Sequence, residues 1–122
     1  HLKNFSLILQ EIDYRLAPAY DLLNTCLHVN GDDFGLDGGL SPNIERSDAM
    51  DRTSHPCRLD FERFGKRIGI INTRLNRILD KYMQMPDETK KLVERSLLNE
   101  KMKRSYLRIV RERISRFIRI SE

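Results

Sequence analysis

From Leu59 onward the apolar residues of this chain recur at intervals of three and four, the spacing of one face of an α-helix. The pattern predicts helices over 60–67, over 72–83, from Pro86 onward and over 99–120. Asp60 is expected to cap the first of these helices, and Pro86 to take the first position of the third. Because amphipathic helices bury their apolar stripes against one another, we expect four or five helices around one core.

The first 17 residues have the pattern of a β-hairpin instead. Residues 5–9 are a β-type run, residues 10–13 are a polar connection, and residues 14–16 form the return strand. Pro18 has no N–H to donate and should end that strand. We expect a short helix over 20–24. The fold class that follows is mainly α with one or two small N-terminal β-hairpins.

Residues 27–58 are rich in glycine, proline and short polar residues, which is typical of turns and loops. A second small hairpin could pair residues 27–29 with 34–36, and residues 41–55 should be mobile. We therefore treat 1–122 as a single domain in three segments: a hairpin segment over 1–26, a loop-rich insertion over 27–58 and a helical bundle over 59–122.

The composition limits the class of protein. No apolar run approaches the roughly 20 residues of a membrane span, and two cysteines are too few for a disulfide scaffold, so a cytoplasmic protein is expected. The net charge of +4 hides a split: residues 1–60 carry five basic and ten acidic side chains, whereas 61–122 carry 17 and 8. The chain begins with His1 and not Met, with no signal-peptide pattern, so we expect a piece of a larger protein.

One constellation in the hairpin segment could carry chemistry. A turn centred between residues 11 and 12 pairs Leu9 with Tyr14 and puts Asn4 and Asp21 on one side. They then form a diagonal pair with roughly 7–8 Å between their backbones. An amide oxygen and a carboxylate that converge in this way can hold Mg²⁺, which keeps several waters and needs few protein ligands. The alternative is that Asn4 is a turn residue and Asp21 a helix N-cap.

The residues around this pair resemble a known family. The segments HLKNFS at residues 1–6 and LAPAYD at residues 16–21 resemble the D-x-H-x-K-N-F-S loop and the L-x-P-x-Y-D segment of HipA-family serine/threonine kinases. The resemblance implies the C-terminal helical lobe of a kinase-like fold. It also implies that Asn4 and Asp21 bind Mg²⁺ and thereby ATP, that His1 helps to shape the catalytic loop, and that Lys3 reaches the phosphate or substrate.

The resemblance also implies partners and limits. The family's general-base Asp would lie two positions before His1, so these 122 residues alone should be inactive. The intact parent would be a protein kinase acting on a protein substrate, and the toxin of a toxin–antitoxin pair that binds a DNA-binding antitoxin. A degenerate kinase lobe kept as a scaffold is one alternative.

The last predicted helix has two faces. Its buried stripe is expected to comprise Met102, Tyr106, Ile109, Val110, Ile114, Phe117 and Ile118, and its opposite ridge is Arg104, Arg108, Arg111 and Arg119. Such a ridge is commonly just the solvated side of an amphipathic helix. The alternative is a stand-alone binding module whose ridge contacts an antitoxin or DNA. Because the sequence has no base-reading motif, any contact with DNA would be to its phosphates.

Overall fold

The structure is a computed structural model that describes residues 4–29, 39–41 and 43–118. Contacts divide the chain into two compact units, His1–Gly39 and Leu40–Glu122. The described residues form one two-stranded hairpin and five α-helices, which confirms the mainly α class with a small N-terminal hairpin. The prediction that 1–122 acts as a single domain stays a prediction.

The first unit contains the expected hairpin. Strand β1 (Leu7–Gln10) pairs antiparallel with β2 (Asp13–Leu16), and Leu9 lies opposite Tyr14. This register is the one that the sequence predicted, and the strands reach one residue closer to the turn than expected. Glu11 takes a positive φ of 54° in the turn. The register is therefore fixed by the two-residue connection and by the alternation of side chains along the strands.

The segment after the hairpin differs from the prediction. Residues 17–24 have no regular structure, so the helix expected over 20–24 is wrong, and a short 3-10 helix follows at Thr25–Leu27. The reason is local, because Asp21 has a φ of 53°, which a right-handed helix cannot accommodate. The first strand expected over 27–29 is replaced by the end of this 3-10 helix and a turn, and its partner over 34–36 lies outside the described residues.

The second unit is helical. Its elements are α1 (Asp48–Thr53), α2 (Arg58–Arg67), α3 (Asn72–Asp80), α4 (Asp87–Arg95) and α5 (Glu100–Ser115). Four of them match the periodic segments of the sequence. Helix α1 lies in the stretch that was expected to be a mobile loop, and Ser47 caps it by accepting a hydrogen bond from the Met50 amide at 3.1 Å.

Two capping predictions need correction. Asp60 is the third residue of α2 and not its cap, because the helix begins at Arg58 with Cys57 in the cap position. Pro86 is the cap of α4 and not its first residue. The error is one position for Pro86 and three for Asp60, since periodicity locates a helix better than it locates the ends.

Apolar packing in this unit joins the helices in pairs. Helix α2 packs on α3 and α4 packs on α5, and Leu75, Leu79 and Val93 form the buried apolar core among the described residues. Gly65 permits the close approach of α2 and α3, because a Cβ there would overlap the side chain of Leu75. The rings of Phe61 and Phe117 stack with centroids 5.1 Å apart.

The start of α2 holds a buried carboxylate. Asp60 is 2% exposed and accepts hydrogen bonds from the Ser47 amide, the Ser47 hydroxyl and the Cys57 amide, each at 2.8 Å. Burial raises the pKa of this carboxyl, but the hydrogen bonds from Cys57 and Ser47 outweigh burial, so the pKa is lowered overall. Asp60 therefore joins the residue that caps α1 to the residue that caps α2.

The neighbouring residue, Arg58, is a buried cation. Its guanidinium donates to Glu62 at 2.8 Å and lies 2.7 Å from an Asp80 carboxylate oxygen on α3. The hydrogen bond to Glu62 raises the pKa of Arg58, burial opposes this, and Asp80 raises the pKa further. The Arg58 backbone amide also donates to the Arg116 carbonyl at 3.1 Å, so α2 is tied to both α3 and the end of α5.

The Asp60→Asn variant should be less stable, because an amide cannot accept the same set of hydrogen bonds. We expect a loss of about 2–3 kcal/mol in the free energy of unfolding at pH 7. Since the folded pKa of Asp60 lies below its unfolded value of about 3.9, the carboxylate stabilises the fold above that pH and loses its effect as pH falls through the folded pKa. Urea unfolding followed by circular dichroism at pH 7, 5 and 3 should show the difference from wild type shrinking in acid.

A matched control for this experiment is Glu94→Gln, which removes an exposed carboxylate from α4. It should change the free energy of unfolding by less than about 0.5 kcal/mol at each pH. An Asp60→Asn protein as stable at pH 7 as this control would contradict the role given to Asp60.

Candidate metal-binding site

Asn4 and Asp21, the two predicted ligands, lie side by side in the first unit. The Asn4 side-chain nitrogen donates a hydrogen bond to Asp21 Oδ2 at 3.1 Å. Asp21 is exposed and Asn4 is half-buried, so the pair is open to solvent. The structure therefore places these side chains close together, and metal binding by the pair stays a prediction.

The hairpin brings the pair together. The Ala17 amide donates to the Ser6 carbonyl at 2.8 Å, which continues the pairing one step beyond β1 and β2. Among the described residues, no backbone hydrogen bond continues the ladder beyond this pair, and residues 17–24 have no regular structure. Beyond the ladder, the hydroxyls of Ser6 and Tyr20 are hydrogen-bonded at 2.7 Å.

The backbone of Asp21 is unusual. Its φ of 53° lies in the left-handed region, where residues other than glycine are uncommon and where Asp and Asn are enriched. Holding a non-glycine residue there costs on the order of 1–3 kcal/mol, and such residues cluster at functional sites. The conformation directs the Asp21 carboxylate to the Asn4 amide.

The donor set fits Mg²⁺. A carboxylate oxygen and an amide oxygen are hard ligands, and adjacent octahedral ligands at 2.0–2.1 Å from the ion stand about 2.9 Å apart. The 3.1 Å between the two side-chain atoms is close to that separation, and half a turn of the Asn4 amide presents its oxygen in place of its nitrogen. The described residues contain no group of three or more His, Cys, Asp or Glu side chains that could hold an ion. Any ion held by this pair would therefore keep water or phosphate oxygens as its other ligands.

The two supporting residues cannot be placed. His1 and Lys3 lie outside the described residues, so their roles stay predictions. The hydroxyl pair of Ser6 and Tyr20 went unnoticed in the sequence, because Ser6 reads as an ordinary strand residue. A clue was available, since Ser6 is two residues from Asn4 and Tyr20 is next to Asp21.

On α5 the arginine ridge is partly described. Arg104, Arg108 and Arg111 are exposed, and Arg119 lies outside the described residues. The opposite face is less buried than predicted, because no residue of α5 is fully buried and Ile118, beyond its end, is 50% exposed. Met102, Tyr106, Ile109, Val110, Ile114 and Phe117 are half-buried.

Comparison with known proteins defines the class of this chain as a HipA-like C-terminal domain. The model of that family matches residues 1–89, which include the hairpin, Asn4, Asp21 and helices α1 to α3. Because the match covers more than half of the sequence, the chain belongs to this family. Helix α5 lies outside the matched residues. No curated protein and no solved structure matches the chain.

Within residues 4–29, 39–41 and 43–118, no helix combines the length and the apolar character needed to cross a bilayer.

Proposed function

We propose that this chain supplies the Mg²⁺-binding part of a HipA-like serine/threonine protein kinase. The observation that carries the proposal is the Asn4–Asp21 pair, which lies on a hairpin within a HipA-like C-terminal domain. Asn4 precedes β1 and Asp21 follows β2, so the antiparallel pairing and not sequence proximity brings the two residues together. Neither is needed to fill a core, because neither side chain is buried.

Each residue has a distinct part in this proposal. Asp21 contributes a negative carboxylate, and Asn4 contributes a neutral amide oxygen; together they would hold Mg²⁺. When bound, the ion supplies positive charge to the phosphate oxygens of ATP. His1 would shape the catalytic loop and Lys3 would contact the phosphate or the protein substrate. An Asp two positions before His1 in the parent protein would accept the proton of the substrate hydroxyl.

The Asp21→Asn change in the full-length parent tests the metal role. Asn tolerates the left-handed backbone of position 21, so the change removes charge and leaves the hairpin intact. We expect phosphoryl transfer from labelled ATP to fall by about 10²–10³-fold, the cost of losing one charged group at a transferring centre.

The matched control is Asp13→Asn, the same substitution on β2 of the same hairpin. It should leave the transfer rate within about twofold of wild type. An Asp21→Asn protein with wild-type activity would contradict the metal role of Asp21, whereas a wild-type parent that transfers no phosphate would support the alternative of a lobe kept as a scaffold.

The 122-residue chain by itself should transfer no phosphate, since the general base and the ATP-binding lysine of the family are not among its residues. Incubation with γ-labelled ATP and Mg²⁺ should leave both the chain and a generic acceptor protein unlabelled. Label incorporated by the wild-type chain and lost in Asp21→Asn would contradict this expectation.

The intact protein would, on this proposal, be a cytoplasmic toxin held by a DNA-binding antitoxin.

A second candidate function is a binding module centred on α5. It is favoured by Arg104, Arg108 and Arg111, which are exposed at the i, i+4 and i+7 positions of one helix. The three guanidinium groups form a strip along which DNA phosphates could bind.

Replacing Arg104, Arg108 and Arg111 with Gln tests this strip. We expect the affinity for a labelled 20-base-pair duplex to fall, as measured by fluorescence anisotropy from 50 to 200 mM NaCl. The negative slope of log K against log salt concentration should become shallower by about 3. The control with equal charge change is Arg67→Gln/Lys91→Gln/Arg95→Gln, on exposed positions of α2 and α4. Equal losses in both variants would show that net charge, and not the α5 strip, attracts DNA.

A further inference from the structure

We propose that Ser6 and Tyr20 are positioning residues for the Asn4–Asp21 metal pair. Their hydroxyls are 2.7 Å apart and form the link between the end of the ladder and the pair itself. The inference deepens the proposed function and rests on it, because it assigns a role toward the ion that Asn4 and Asp21 would hold.

The first reason to assign this positioning role is the place of the Ser6–Tyr20 hydrogen bond in the hairpin. The backbone pairing of the hairpin continues to the Ala17 amide, which donates to the Ser6 carbonyl at 2.8 Å. Among the described residues, no further backbone hydrogen bond joins the two segments beyond Ala17, so the backbone no longer fixes the distance between them. Ser6 on one side and Tyr20 on the other restore a cross-link within one residue of Asp21 and within two of Asn4.

The backbone of Asp21 is the second reason. A non-glycine residue at a φ of 53° persists only where its surroundings hold it. Two side-chain hydrogen bonds hold the backbone here. Asn4 donates to the Asp21 carboxylate, and the Ser6 hydroxyl is hydrogen-bonded to that of Tyr20, the residue before Asp21. If the link through Tyr20 is lost, the backbone of Asp21 can relax toward a negative φ, and the carboxylate moves away from the Asn4 amide.

The chemistry of the Ser6 and Tyr20 hydroxyls suits them to position the metal pair and not to bind the ion. Each hydroxyl can donate or accept, and the hydrogen bond between Ser6 and Tyr20 does not use the Asp21 carboxylate. Tyr20 is 41% exposed, and its change to Phe removes one oxygen and keeps the ring. A single exposed hydrogen bond changes a local equilibrium by about 2–10-fold, which sets the expected size of the effect.

The test measures metal affinity directly. Mn²⁺, which takes the same oxygen ligands as Mg²⁺ and is paramagnetic, is titrated into the 122-residue chain, and free Mn²⁺ is followed by electron paramagnetic resonance. Tyr20→Phe and Ser6→Ala should each raise the Mn²⁺ dissociation constant about 3–10-fold. The double variant should lose no more than either single variant, because both remove the same bond. Ser6→Thr restores a hydroxyl and should restore the affinity.

The control variant is Tyr14→Phe, which removes a tyrosine hydroxyl from β2 of the same hairpin and should bind Mn²⁺ as wild type does. In the full-length parent, Tyr20→Phe should raise the Mg²⁺ concentration for half-maximal phosphoryl transfer by the same 3–10-fold, with the rate at saturating Mg²⁺ within twofold of wild type. A merely structural defect would lower the saturating rate instead.

The outcomes separate the two proposals. If Asp21→Asn abolishes Mn²⁺ binding while Tyr20→Phe and Ser6→Ala bind as wild type does, the positioning role is wrong and the metal pair stands. Additive losses in the double variant, or no rescue by Ser6→Thr, would also overturn the positioning role. If wild type and Asp21→Asn bind Mn²⁺ equally, the metal pair is wrong, and the positioning role is wrong with it.

Discussion

The helical unit depends on one buried carboxylate. Asp60 is 2% exposed and remains charged because three short hydrogen bonds from Ser47 and Cys57 replace the water that burial removes. A charged acceptor gains about 1.5–3 kcal/mol from each such bond, which is enough to offset its desolvation. The carboxylate thereby connects the cap residues of two helices, Ser47 and Cys57, which are ten residues apart. With few fully buried apolar side chains among the described residues, this polar junction sets how α1 meets α2.

The hairpin segment is held by different forces. Backbone pairing and side-chain hydrogen bonds between exposed groups maintain its shape, and both candidate ligands remain accessible. Such bonds are individually weak, so small changes at Ser6 or Tyr20 shift the geometry of the pair without unfolding the molecule. A ligand that contacts both Asn4 and Asp21 would reinforce the same geometry, since binding to one conformer stabilises it by mass action. The residues that hold the helical unit together are thus separate from those proposed to bind the ion.

The sequence predicted the hairpin register and most helices, because a periodic pattern or a tight turn determines each of them. The pairing of Leu9 with Tyr14 follows from the alternation of residues 7–16 around a two-residue turn, and that register led to the Asn4–Asp21 pair. Helices α2 to α5 follow from apolar residues three and four apart.

The failures of sequence analysis have physical causes. Helix α1 is six residues long and has no buried face, so it carries no periodic signal, although Ser47 and Asp48 are typical of a helix start. The role of Asp60 was hidden because the cap position holds Cys57 in place of the usual Ser, Thr, Asp or Asn. The Ser6–Tyr20 bond lies past Pro18, where the strand register no longer determines which residues meet.

The φ of 53° at Asp21 has a consequence for the substitutions that this position can accept. The left-handed backbone favours Gly, Asn and Asp, whereas an anionic oxygen requires Asp or Glu. Gly and Asn would keep the shape of the chain without the charge, and Glu would keep the charge on a backbone that resists it. Aspartate alone meets both demands, so the backbone shape and the ligand role proposed for Asp21 independently favour the same residue. A complete substitution library at this codon should therefore separate folding from activity: Gly and Asn would score well for abundance, and none of the replacements would score well for both.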